Sequence, residues 1–92
     1  MATFTTQVEI HEARPGDAYT FNDEMHRRGF TRTIKGSDAL YALPEFTYNF
    51  AGELDEQAVY RKAFEALQAL DRSGAIIVTK SAGRFIGGLR KA

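Results

Sequence analysis

The chain has 92 residues, 12 Lys and Arg against 12 Asp and Glu for a formal charge of zero, and no cysteine. That length makes one domain spanning 1–92 with one modest core, burying roughly 60–65% of its unfolded surface. Without cysteine there is no disulfide, thiolate metal site or Cys nucleophile, and the balanced charge argues against a polyanion binder driven by bulk charge.

Met1 to Thr6 shows no basic region followed by an apolar one, and no apolar run approaches a membrane span. The expectation is a cytoplasmic protein without a membrane segment. Phe4 to His11 alternates, with Phe4, Thr6, Val8 and Ile10 on one parity and Thr5, Gln7, Glu9 and His11 on the other. This is a strand with one apolar face. Pro15-Gly16 breaks it, and Asp17 is a good helix N-cap. A helix follows from about Ala18 to Arg28, with Phe21 and Met25 on its apolar stripe. Arg28 extends that stripe, its stem packing and its guanidinium reaching an edge. Gly29 suits the left-handed position that ends a helix.

Phe30 to Lys35 reads as a second strand, favoured by Thr31, Thr33 and Ile34. Lys35 to Asp38 turns, and a third strand is expected over Tyr41 to Phe50, with Phe46, Tyr48 and Phe50 on one face. Pro44 lacks a ladder donor, so that strand lies at an edge or bulges there. Asp55 caps a second helix with a stripe of Val59, Ala63, Ala66, Leu67 and Leu70, widened by Tyr60 and Phe64. Ser73-Gly74 stops it. The apolar run Ala75-Ile76-Ile77-Val78 then reads as a fourth strand, 75–80, covered on both faces. Phe85, Ile86 and Leu89 keep the glycine-rich tail apolar enough for a short last strand or a pinned arm. The order β-α-β-β-α-β predicts an α+β, ferredoxin-like sandwich: a four-stranded antiparallel sheet with both helices on one face.

Val8-Glu-Ile-His-Glu-Ala13, Glu24-Met25, Gly29-Phe-Thr-Arg-Thr-Ile34, Tyr41-Ala-Leu-Pro44 and Ile77-Val-Thr-Lys80 give the chain a family likeness. In order and spacing it resembles the GhoS-like antitoxins of type V toxin–antitoxin systems. The resemblance implies a ferredoxin-like fold related in shape to the Cas2 nucleases, and endoribonuclease action on a toxin message. No catalytic motif of that family matches residue by residue. Where the first helix would carry a basic functional residue, this chain offers Asn22, then Arg27 and Arg28.

Metal-free RNA cleavage needs a base, an acid and positive charge at the phosphate. His11, His26 and Arg28 are the candidate catalytic residues; His11 shares a strand face with Glu9, at the spacing of two that side chains on one face require. Arg27, Arg32, Lys35, Lys80 and Arg84 are the candidate RNA-binding residues. Each has a plainer reading: a surface histidine as polar surface, and Arg32 between Phe30 and Ile34 as cover for an apolar face or the partner of an acid. The carboxylates fall mostly in caps and loops without metal-ligand spacing, and no P-loop, G-x-S-x-G or H-E-x-x-H is present. Neither metal nor other cofactor is expected. Two functions remain open: an endoribonuclease or RNA-binding antitoxin acting on single-stranded RNA, and a non-enzymatic dimeric interaction module. For the second, the open face of the sheet is where another subunit would dock.

Overall fold

The alternation in the first strand has a direct structural outcome. β1 (Ala2–Ile10) buries Phe4, Thr6, Val8 and Ile10 and leaves Gln7 and Glu9 exposed. The structure, a computed structural model, describes residues 1–92. β1 is the central strand. It pairs antiparallel with β4 (Thr47–Gly52), Thr5 opposite Asn49, and with β5 (Gly74–Lys80), Gln7 opposite Ile77. The sheet order is β4-β1-β5.

The expected single four-stranded sheet is not formed. A second sheet contains only the hairpin of β2 (Thr33–Lys35) and β3 (Leu40–Ala42). An isolated antiparallel bridge, Thr31 to Asn49, joins the segment before β2 to the three-stranded sheet. The strand expected over Tyr41 to Phe50 is also divided, and the reason is local. Pro44 has no donor to offer a ladder, and Phe46 adopts a left-handed φ of 60°. The ring of Phe46 still turns to the core, 6.3 Å from that of Phe21.

Both helices pack on the same face. α1 (Asp17–Arg27) contributes Phe21 and Met25 to the core, and α2 (Glu56–Ala69) contributes Val59, Ala63, Ala66 and Leu67. They meet Phe4, Val8, Ile10, Tyr48 and Phe50 from the sheet, with Phe21 edge-on to Tyr48 at 5.6 Å and Phe30 against Phe50 at 5.2 Å. The Asp55 carboxylate accepts from Ala58 N–H at 2.8 Å and caps α2. Asp17 does not act as a cap: Gly16 takes that position, and Asp17 is the first helical residue. Tyr60 and Phe64 do not enter the core. Their rings stack on the outer surface of α2, 43% exposed each.

β5 is not covered on both faces. Ile76 and Val78 pack on the core, whereas Ala75 and Ile77 face outward, Ile77 at 63% exposure. The tail after it is a pinned arm. Ser81 N–H donates to Thr3 O, and the segment then crosses the open face of the sheet to β3. There Ala42 N–H donates to Arg90 O, Ala92 N–H donates to Leu40 O, and Lys91 bridges Tyr41. No helix is long and apolar enough to cross a membrane.

Candidate nucleic-acid interface

α1 ends in a tight left-handed turn. Gly29 has φ 95°, its N–H donates to His26 O, and Phe30 N–H donates to Met25 O. This Schellman turn sends Phe30 into the core and brings Thr31 alongside Asn49. Thr31 and Asn49 exchange both backbone hydrogen bonds at 2.8 Å. The Asn49 side chain lies on the open face, as does that of Thr5, its partner across β1. Arg84, from the crossing arm, donates to both, at 2.7 Å to Asn49 Oδ1 and 3.3 Å to Thr5 Oγ1. No acid pairs with Arg84.

On the helix side of the same bridge lies a shallow groove between α1 and the hairpin. Tyr19, Asn22, Asp23, His26, Thr31 and Arg32 line it. Arg32 is held firmly. Its Nη1 donates to Pro44 O at 2.6 Å and Thr47 O at 2.8 Å, and its guanidinium carbon lies 5.4 Å from the centroid of the Tyr48 ring. The Tyr48 hydroxyl donates to Asn22 Oδ1. Burial pushes the Tyr48 phenol well above its usual range, so it remains a neutral donor. Tyr19 is 84% exposed at the rim.

The three candidate catalytic residues are not brought together. His11 sits beyond β1, its N–H bound to Ser73 O and its Nε2 3.7 Å from Glu9 Oε1. Ser73 adjoins Arg72, which pairs with Asp17 at the start of α1. His26 lies nine residues further along that helix, about 14 Å away at a rise of ~1.5 Å per residue. Arg28 faces neither histidine. It donates to Glu24 O and Glu24 Oε1, at 2.9 and 2.7 Å, and approaches Glu65 of α2 at 3.8 Å.

The candidate RNA-binding residues divide as well. Arg27 is paired with Asp23 at 3.2 Å and Glu24 at 3.7 Å. Arg32 and Arg84 flank the Thr31–Asn49 bridge on opposite faces of the sheet. Lys35 ends β2 and Lys80 ends β5, both exposed and without acid partners. Tyr19, Thr5, Thr31 and Asn49 were not among the residues marked out by sequence. Strand parity placed Thr5 on the polar face, but only the bridge and the crossing arm give that face a cation. No three His, Asp or Glu residues cluster as a metal-ligand set. No protein-family model, curated protein or solved structure matches the chain.

Proposed function

We propose that this chain is a small cytoplasmic RNA-binding protein of the antitoxin type it resembles, holding single-stranded RNA around the Thr31–Asn49 bridge. The supporting observation is Arg84, a cation without an acid partner, oriented by Asn49 and Thr5 over a hydroxyl- and amide-lined sheet face. Phosphate can take the free valences of that guanidinium. Tyr19 and His26 across the rim offer a base a stacking surface. Binding is better supported than cleavage, because a base and an acid must flank one phosphate, and His11 lies just past β1 beside Ser73 while His26 lies in the last turn of α1. The fold fits the same reading. The strand order β4-β1-β5, with the Thr31 segment bridged beside β4, supports a ferredoxin-like reading in which the remaining edge strand is reduced to one pair.

The test is a salt series of mobility shifts on short single-stranded RNA. Wild type binds at low salt, and Arg84→Ala weakens binding several-fold and flattens the log–log salt slope by about 0.7, the value of one lost phosphate contact. No binding at low salt, or an unchanged slope in Arg84→Ala, removes the reading. A second reading, an interaction module that pairs with its own kind, is favoured by one feature: β5 has an unpaired outer edge and an exposed Ile77.

A further inference from the structure

We propose that β5 is a strand-addition edge for a second copy of this chain, antiparallel about a two-fold axis at Ile77, with the Tyr60–Phe64 flank of α2 closing over the seam. The proposal rests on the second reading above and moves the interface from the open sheet face to the sheet's edge. β5 pairs only with β1. Ser73 O accepts from His11 N–H and Ser81 N–H donates to Thr3 O, so odd-numbered residues direct their backbone groups at β1. Gly74, Ile76, Val78 and Lys80 therefore aim their N–H and C=O groups outward. Edges of this length are ordinarily blunted by proline, a bulge or inward charge. β5 has no proline, pairs with β1 without a register break, and carries one charge, Lys80, at its end.

The register is self-complementary. With Ile77 on the axis, Ile76 faces Val78 of the second copy and Gly74 faces Lys80, and every such pair joins two outward-facing residues. Each pair exchanges two hydrogen bonds. The apolar side chains of Ile76 and Val78 continue the core layer across the seam, and Ile77 meets Ile77 of the second copy on the opposite face. The only charge on the edge lands opposite a glycine, and the zero net charge of the chain leaves no long-range repulsion.

The helix above carries the same surface. α1 lies along one flank of α2, as the Arg28–Glu65 contact shows. At 100° per residue Tyr60 and Phe64 lie on the other flank of α2, the helix that packs on β5. Their rings stack at 6.3 Å and 10° and are 43% exposed each. In the dimer the two α2 helices run side by side and these rings meet.

Sedimentation equilibrium from 1 to about 300 μM, with hydrogen exchange read at single amides, tests it. Wild type is expected to dimerise, and the amides of Ile76 and Val78 to slow at least tenfold across that range while those of Ala75 and Thr79 stay slow throughout. Phe64→Lys and Ile77→Lys are expected to be monomeric with unchanged circular dichroism. A dimer whose Ile76 and Val78 amides stay fast, and which survives Phe64→Lys, overturns the edge while leaving a self-pairing module standing. A monomer across the whole range overturns both.

Discussion

Thr6 places a hydroxyl among Phe4, Val8 and the helix side chains. It is fully buried, and its Oγ1 has no hydrogen-bond partner. A buried hydroxyl without a partner costs about 1–3 kcal/mol of desolvation. Thr6→Val keeps the branched shape and the β preference and removes that cost. The expected outcome is a gain of about 1 kcal/mol, seen as a melting temperature higher by about 4–8 °C in a domain this small. An unchanged or lower melting temperature would show that the hydroxyl finds a partner in solution. The parity of β1 already put Thr6 on the inner face with Phe4 and Val8. Its lack of a partner was not legible, because that depends on what α2 and β4 present to it across the core.

The helices were read closely from sequence and the strands less so, for a physical reason. Helix ends are local. Asp55 caps α2 and Gly29 ends α1 through bonds to residues a few positions away. Gly29 also carries a demand from outside its helix: a Cβ there would lie 3.1 Å from Phe50 Cε2, besides forcing a side chain into φ 95°. The left-handed conformation alone costs about 1–2 kcal/mol for a non-glycine residue, and Phe50 must shift as well. Gly29→Ala is expected to destabilise by about 2 kcal/mol in urea melts, with the transition slope unchanged; a loss below a few tenths would mean the turn relaxes freely. Strand limits, by contrast, depend on partners distant in sequence. The periodicity of Tyr41 to Phe50 was continuous, yet the ladder breaks at Pro44 to Phe46 and resumes beside β1. Gly74 read as a stop after α2, but it opens β5, where a Cβ would collide with the Glu9 carbonyl of β1. No local pattern carries that information.

At the scale of the molecule, the cations of the candidate interface were legible as residue types and not as a place. Arg27, Arg28 and Arg32 stand close in sequence, but two turn to acids and the third to carbonyls, while Arg84 arrives from the far end of the chain. The contact that joins the ends of the helical layer was equally hidden. Asp17 opens α1 and Arg72 follows α2, and they meet at 3.0 Å with side chains 11% and 18% exposed. The Arg14 backbone N–H first, then the Arg72 guanidinium, hold the Asp17 carboxyl below its usual value of 3.8. A carboxylate with a depressed folded pKa binds fewer protons in the folded than in the unfolded chain near pH 4, so stability falls as pH falls. Its contribution is complete well above the unfolded pKa of about 3.9 and disappears as pH passes down through the folded value. Asp17→Asn removes the charge and keeps the shape. Chemical denaturation at pH 6 is therefore expected to find wild type more stable than Asp17→Asn, and the gap to close as the pH is lowered from about 4.5 to below 3. Exposed pairs such as Arg27 with Asp23 contribute little to this closure, since water screens them. A gap that stays constant over that interval would mean the Asp17 carboxylate is no better held in the folded chain than in the unfolded one, and that Arg72 joins the helical layer by packing alone.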